Sequence, residues 1–484
     1  MNSTAEDDKH GSVEQERAQD WREILSPGRL AATATLCLGV ALFAFNEFFI
    51  STSLPTAVAE FGGAALLSWA FTLYLVFAIL GGTLAANLKL RFGARNSLVA
   101  AAVVFSTGTL IATFAANMPT VLAGRIFQGL GEGIVAATCY SLIPELFPKR
   151  LVPKVFGAEA IVWAAAAFTG PLIAGSLTEY WSWRAAFFVN IPAALVFIIL
   201  VLSIVPRRGG ANLSAAPIPV LRVLATGAGI LLISISNRVE NELGMATLLA
   251  AALTMLYVTV QTDRRSYQPV LPSGAFMANS ALAAGLWVVL LMPVAQASSS
   301  VFLVYVLERL WHLGPTTAGF SSAVMAMSWS VTAILVASLR SKDFRQSLIC
   351  TGPMLLSAGF AALTLAVNFG RFWAVIPGQI AIGAGFGICW GTLSQLLMEV
   401  SPAAERDKTS SLLPTLQSAG YAIGAAFFGL VANARGFGEH ASDAALKGAM
   451  LAVFGIGCVV ATASLFFGLR MMRLAADSAN PATT

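Results

Sequence analysis

Gly124-Arg125-Ile126-Phe127-Gln128-Gly129-Leu130-Gly131-Glu132-Gly133-Ile134 is an apolar helical run that carries an arginine, a glutamate and four glycines. About 254 residues later the chain reads Gly378-Gln379-Ile380-Ala381-Ile382-Gly383-Ala384-Gly385-Phe386-Gly387-Ile388, with every glycine and both outer isoleucines in place. The same offset carries Glu145 and Pro148 to Glu399 and Pro402, and Ala166, Gly170 and Gly175 to Gly420, Gly424 and Gly429. Two related halves have therefore diverged, and only the first keeps charges, Arg125 and Glu132, where the second has Gln379 and Phe386.

The surrounding composition says what medium these halves occupy. Of 484 residues 57% are hydrophobic and only 11% charged, and the mean hydropathy is +0.77, whereas about a quarter of a soluble domain is charged. The chain is a membrane protein. Its net charge of +5 is dispersed among short loops rather than gathered on one face, so nucleic acid is not an expected partner. Cys37, Cys139, Cys350, Cys389 and Cys458 all fall within apolar runs without metal-ligand spacing and read as packing residues. No metal and no cofactor is expected.

A hydrocarbon layer about 30 Å thick needs about 20 apolar residues in a helix. Fourteen such runs are present, at 30–51, 66–88, 97–115, 119–142, 155–177, 185–205, 220–236, 245–260, 281–307, 316–339, 347–367, 372–397, 411–432 and 449–469. The pair between 220 and 260 is the shortest and encloses a charged hairpin. With the N-terminus cytoplasmic, inside segments hold 22 lysines and arginines and outside segments 6, so both ends are expected inside. The inside set is Lys9, Arg17, Arg22, Arg29, Lys89, Arg91, Arg95, Lys149, Arg150, Lys154, Arg207, Arg208, Arg222, Arg264, Arg265, Arg340, Lys342, Arg345, Arg406, Lys408, Arg470 and Arg473.

The repeat divides the chain into a cytoplasmic tail (1–29), a six-helix bundle (30–205), a cytoplasmic linker with two extra membrane helices (206–280), a second six-helix bundle (281–469) and a cytoplasmic tail (470–484). The first tail is polar and acidic and does not have the form of a signal peptide, although an interfacial helix near Trp21 and Ile24 fits the pattern. Two six-helix halves related by an axis along the membrane normal are the plan of a transporter that binds near the midplane and rocks one half against the other.

Several motifs make the chain resemble the major facilitator superfamily, specifically its fourteen-span drug:proton antiporter branch, from Leu30 to Leu469. Arg125-x-x-Gln128-Gly129-x-Gly131 matches the fourth-span motif, and Gly157-x8-Ala166-x3-Gly170-Pro171-x2-Ala174-Gly175 is similar to the fifth-span antiporter motif. Trp183-Arg184-x-x-Phe187-x-x-Asn190-x-Pro192 resembles the segment entering span six, and Trp69 with Tyr74 the second-span signature. Two positions depart from the pattern. Ala86-Asn87-Leu88-Lys89-Leu90-Arg91-Phe92-Gly93-Ala94 has Leu90 where the family has the aspartate that helps latch the outward-open state. The first-span aspartate, nine residues before Pro55, is Asn46 here, with Glu47 beside it.

The resemblance implies an all-α integral membrane protein of fourteen helices, working as a monomer in the cell inner membrane on a small-molecule substrate and protons. Charges in hydrocarbon cost a few kcal/mol and usually face a cavity or a partner. Four candidates for a proton-coupling network follow: Arg125, Glu132, Glu47 and Glu159. Arg125 and Glu132 are seven residues apart, on nearly one face and about 10 Å apart along the axis, too far for a tight pair. Either Glu132 exchanges a proton beside the fixed charge of Arg125, or the two brace the half-bundle. Glu47 lies toward the end of its span, lining a cavity or meeting the interface. Glu159 lies near Lys154 and Arg150, which favours a structural salt bridge.

Asn46, Trp69, Tyr74, Gln128, Gln296, Ser299, Trp329, Gln379, Trp390 and Gln417 are the cavity candidates, each with core packing as the alternative. The glycines of the repeat suit close helix packing. Gly170, Pro171 and Gly175 are the hinge candidates, since proline frees the carbonyl four residues back and the repeat has Ala425 at that place. Arg91 and Gly93 are the gating candidates. A mainly apolar and aromatic cavity with one or two carboxylates suits lipophilic, often cationic, molecules. The leading expectation is proton-coupled export of such compounds. The alternatives are proton-coupled uptake of a metabolite and a non-transporting receptor or scaffold. An enzyme is not expected: there is no His-Glu-x-x-His pair, His10, His312 and His440 lie in tails or loops, and no Gly-x4-Gly-Lys motif appears.

Overall fold

The computed structural model describes residues 23–479 except 25, 149, 208–219, 237, 238, 240, 267, 268, 270, 278, 338–341, 439 and 440. Most of the first tail, Trp21, Lys9, Arg17, Arg22, Lys149, Arg208, Arg238, Arg340, His10, His440 and much of the linker before residue 220 lie outside the described residues. Among the described residues there is no strand.

The helices are α1 (Pro27–Phe61), α2 (Leu67–Phe92), α3 (Ala94–Thr113), α4 (Met118–Leu146), α5 (Val152–Tyr180), α6 (Trp183–Phe188) and α7 (Asn190–Ile204) in the first half. An inserted hairpin follows, α8 (Val220–Ser236) and α9 (Glu242–Arg264). The second half comprises α10 (Ala281–Leu310), α11 (Pro315–Ala337), α12 (Lys342–Phe369), α13 (Val375–Val400), α14 (Arg406–Ala434) and α15 (Asp443–Ala479). Among the described residues thirteen spans are long and apolar enough to cross a membrane, α6 and α7 together making one of them. The fourteenth, α8, has 17 residues, about 25 Å of helix.

The sixth span is broken at Val189 for a local reason. Pro192 has no N–H to give the Phe188 carbonyl, and the Asn190 side-chain amide donates to the Phe187 carbonyl at 3.2 Å. Arg184 and the Trp183 indole both donate to Glu60 at the end of α1, and Arg184 also reaches the Ala115 carbonyl. The motif entering span six is thus a clasp across three helix ends. Ile24 is buried in the core of the first half, not laid on a membrane surface as the interfacial-helix expectation had it. Next to it Glu23 pairs with Arg29 and Arg150.

The glycines of the repeat set the helix spacing. A side chain at Gly129 or Gly133 would strike the Tyr74 or Ala78 carbonyl of α2, and one at Gly124 or Gly131 the Gly108 or Ala101 carbonyl of α3. In the second half Gly383 and Gly387 meet the Met325 and Trp329 carbonyls of α11, and Gly378 and Gly385 those of Gly359 and Gly352 on α12. The close-packing reading of these glycines therefore holds in both halves. Against α2 and α3 the repeat runs at 251 residues (Tyr74 to Met325, Gly108 to Gly359), three fewer than along α4, because Gly359 and Gly378 are 19 residues apart where Gly108 and Gly124 are 16.

The halves meet where α5 packs on α11 and α2 on α14. Thr316 donates to Glu179 at 2.8 Å, Asn433 to the Ala65 carbonyl at 3.1 Å, and Gly175 and Gly429 admit Thr316 and Ser68. All of these contacts lie at the end of the bundle opposite the chain termini, here called the far end. The inserted hairpin is held by an Arg222–Asp263 ion pair. Helix α8 fills the seam between α2 and α14, packing Ile230 and Ile233 on Val76, Ala422 and Ala426.

Candidate functional site

The fourth-span motif is solvated by its own neighbours. Arg125 is 1% exposed. Its Nε donates to the Ala70 carbonyl at 3.2 Å, its Nη1 to Gln128 at 2.9 Å, and Gln128 in turn donates to the Thr109 hydroxyl at 3.0 Å. The guanidinium lies 4.0 Å from the centroid of the Tyr74 ring, a desolvated cation–π contact of about 2 kcal/mol. Among the described residues no carboxylate lies within ion-pair distance of it.

Tyr74 joins the two charges that sequence spacing kept apart. Its hydroxyl donates to Glu132 Oε2 at 2.8 Å, and the Asn46 amide donates to the same oxygen at 3.0 Å. The other oxygen, Oε1, is buried without a hydrogen-bond partner, as is Asn46 Oδ1. Leu42, Ala102, Phe105 and Val135 line the space beside Glu132. An orphaned carboxylate oxygen in such surroundings is costly while ionised and far less so once it carries a proton.

Glu47, one residue past Asn46, points another way. It is exposed, yet it interacts electrostatically with Arg125 of its own half and Tyr421 of α14. Its exposed surface therefore belongs to the space between the halves, not to a distant interface. Phe43, one turn earlier, stacks on Tyr74 (6.5 Å) and meets Trp163 of α5 edge-on (5.4 Å). Trp69 is half-buried on α2.

Glu159 does not form the salt bridge expected of it. Arg150 pairs with Glu23, and both oxygens of Glu159, 2% exposed, are without a hydrogen-bond partner. It lies instead near Cys37, Cys139 and Tyr140.

In the second half the counterpart of the charged site is apolar and neutral. Phe386, in the place of Glu132, stacks on Trp329 at 4.8 Å. Gln379, in the place of Arg125, donates to the Ser322 carbonyl at 3.0 Å and accepts from Ser299 at 3.2 Å. Gln296 is buried, donating to Ser300 at 3.2 Å with its Oε1 unpartnered. Trp390 and Gln417 are half-buried.

Gly170 is packed on Phe48, and Gly175 against Thr316 across the halves, while Pro171 sits inside an unbroken α5. Gly93, at φ 82° and ψ 155°, turns the chain from α2 into α3. Arg91 is exposed beside Phe92. Near them Lys89 donates to Glu145 at 2.6 Å and to Ser141 at 2.9 Å, tying α2 to α4.

The sequence profile of the Major Facilitator Superfamily matches residues 36–425, which span both halves and this site. The chain belongs to that superfamily. Like other members, this facilitator is a multi-pass membrane transporter of small molecules. It is 31% identical over 455 residues, 91% of its length and 95% of the other's, to a probable multidrug-efflux transporter of Mycobacterium tuberculosis. It is also 21% identical to the riboflavin transporter RibZ of Clostridioides difficile, over 81% of this chain and 86% of that one. A crystal structure of a POT family transporter in complex with 5-aminolevulinic acid superposes with a TM-score of 0.67 at 13% identity, covering 91% of this chain and 96% of the other.

Several participants in the facilitator's site escaped sequence reading. Thr109, the Ala70 carbonyl, Phe43, Trp163 and Tyr421 sit in apolar runs like any core residue. Only Trp163, an indole in mid-span that needs a hydrogen-bond partner, carried a signal.

Proposed function

We propose that this protein exports small lipophilic or cationic organic compounds in exchange for protons, by alternating access of a cavity between its halves. The observation that carries this reading is the Glu132 carboxylate, buried, half-satisfied by Asn46 and Tyr74, and beside a permanently charged Arg125. Arg125 cannot lose its proton in a protein, so Glu132 is the member of the group that changes charge. When ionised it adds negative charge to a wall that also presents Glu47 and the rings of Phe43 and Trp163, which suits a cation. When protonated it releases one. The facing wall, from Gln296, Ser299, Trp329, Gln379, Trp390 and Gln417, offers polar handles and aromatic surface without charge. The name of the Mycobacterium tuberculosis relative supports efflux.

In this reading 30–205 and 281–469 are the moving bundles, 206–280 is the linker with the hairpin, and 1–29 and 470–484 are cytoplasmic tails. Both termini lie in the cytoplasm and the protein works as a monomer in the inner membrane. The closed far end is then extracellular and the conformation faces inward. Gly170, Pro171 and Gly175 form the seal or hinge beside Thr316, and Gly93 with Arg91 sits at the inner gate. The protein is a carrier and not an enzyme.

The test is proton movement in inverted vesicles with an imposed pH gradient, challenged with lipophilic cations and neutral drugs, in wild type and Glu132→Gln. Collapse of the gradient only when Glu132 is present is the expected result. A wild type that never responds, while metabolites accumulate in right-side-out vesicles, overturns export in favour of uptake. The part of that second reading that names a metabolite as substrate is supported by the similarity to a riboflavin transporter.

A further inference from the structure

Glu159 is a carboxylate that the central site does not use. It sits seven residues into α5, about 10 Å from the helix start, closed from solvent at 2% exposure. Neither oxygen has a hydrogen-bond partner, and among the described residues it makes no ion pair. A buried carboxylate left unpaired calls for an explanation beyond packing, such as a transient water or a working role.

The groups around it are neutral. From α1 it faces Cys37, and from α4 Cys139 and Tyr140. Of the cations near it in sequence, Arg150 is engaged by Glu23 and Lys154 has interactions of its own. Thr138, next to Cys139, also has a buried hydroxyl oxygen without a partner.

Its position relative to Glu132 is set by two helices. Cys139 lies seven residues beyond Glu132 on α4, on the same face and about 10 Å nearer the end that carries the termini. On α1, Asn46, which binds Glu132, and Cys37, which faces Glu159, are nine residues apart, about 13 Å along the axis, with Leu42 between them. Leu42 and Val135, apolar residues that line the space beside Glu132, lie between the two levels along α1 and α4. A second connection runs along the wall: the Tyr140 hydroxyl interacts with Trp163, Trp163 packs on Phe43, Phe43 on Tyr74, and Tyr74 binds Glu132. Tyr140 also stacks on Phe156 at 5.9 Å, one turn from Glu159, and both rings are exposed.

We infer that Glu159 is a second proton station, which exchanges a proton with Glu132 through a transient water file past Leu42 and Val135 and with bulk water at the terminal end. The inference rests on the proton-coupled reading above. In the outgoing step the Glu132 carboxylic acid gives up its proton and becomes a carboxylate. Glu159 takes that proton as it changes from carboxylate to acid, then hands it to water past the Tyr140–Phe156 pair. Narrow apolar constrictions that wet transiently gate ion movement in the same way. The path lies within one half, apart from the cavity between halves, so protons need not share the substrate's route.

The experiment uses the full chain in proteoliposomes with ethidium as the probe, comparing wild type, Glu132→Gln, Glu159→Gln and Leu42→Phe. Gradient-driven export, gradient-free ethidium exchange and the infrared carboxyl bands between pH 5 and pH 9 are measured on each. Glu159→Gln and Leu42→Phe are expected to slow gradient-driven export at least about tenfold while exchange stays within about twofold. Glu159→Gln should also remove one carboxyl band, and Glu132→Gln should shift the titration of that same band. Gradient-driven export by Glu159→Gln at the wild-type rate overturns the relay and leaves the Glu132 reading standing, and equal loss of export and exchange reduces Glu159 to a structural residue. If wild type exports no ethidium against the gradient, the export reading fails for this cation and the infrared arm decides alone: no Glu159 band, or one indifferent to Glu132, overturns the station.

Discussion

Tyr74 connects a guanidinium and a carboxylate that stand about 10 Å apart along one helix, with its ring against Arg125 and its hydroxyl on Glu132. Removing the hydroxyl alone separates these two roles. Tyr74→Phe is expected to keep the protein folded through the retained cation–π contact while shifting the pH profile of export, read in vesicles against the same profile for Asn46→Ala. Gln128 relays Arg125 to Thr109. Gln128→Ala leaves a buried charged donor unpaired, which costs about 2 kcal/mol and should lower the melting temperature in detergent. Arg125→Lys cannot restore the site, because one ammonium does not reach the Ala70 carbonyl, Gln128 and the ring together. Export by that variant should fall even where its melting temperature recovers.

The helices of each half are spaced by glycines whose missing side chains admit a neighbouring carbonyl. Gly129→Ala and Gly383→Ala should each cost about 1 to 3 kcal/mol by forcing helices apart, with similar losses in the two halves because the contacts are equivalent. Gly391 and Gly455 are the matched controls, since a side chain there meets open space, and alanine at either should leave the melting temperature unchanged or slightly raised. Gly93 is set by conformation instead: its φ of 82° with ψ of 155° is nearly restricted to glycine and costs about 1 to 3 kcal/mol for other residues. The loop after α2 is fixed by that turn and by the Lys89–Glu145 pair, with Leu90 where the family aspartate would stand.

Across the whole molecule, the halves touch at the far end through Ala65–Asn433 and Glu179–Thr316. In a background with the five native cysteines replaced, Ala65→Cys with Asn433→Cys should cross-link readily and stop transport until a reductant is added. Ready cross-linking with full transport would show that the far end need not open. The linker offers a separate measurement at the other end. Ser273 donates its N–H and its hydroxyl to Glu405, holding that half-buried carboxyl below its ordinary value. The docking is therefore present above the usual carboxylate range and lost as pH falls through the lower bound-state value. Hydrogen exchange over 271–277 should be protected at pH 7 and speed up toward pH 3 beyond the intrinsic change, whereas Glu405→Gln should remove that pH dependence.

The sequence alone determined the membrane class, the repeat and the positions of the spans, because apolar length and recurrent glycines are local quantities that need no partner to be read. It also located Arg125, Glu132, Asn46 and Tyr74 through motif and intramembrane charge. Tertiary structure decided who meets whom. Only packing brings the Tyr74 ring between Arg125 and Glu132, turns Glu47 toward Tyr421 in the other half, and leaves Glu159 among thiols instead of beside a cation. Hydrogen bonds and ring contacts between helices join residues 55 to 86 positions apart, and no periodicity along one helix specifies which face of its neighbour it will find. The three-residue difference in repeat spacing was hidden for the same reason, since it becomes visible only when one helix is set against another, whereas the break at Val189 is local and follows from Pro192 and Asn190.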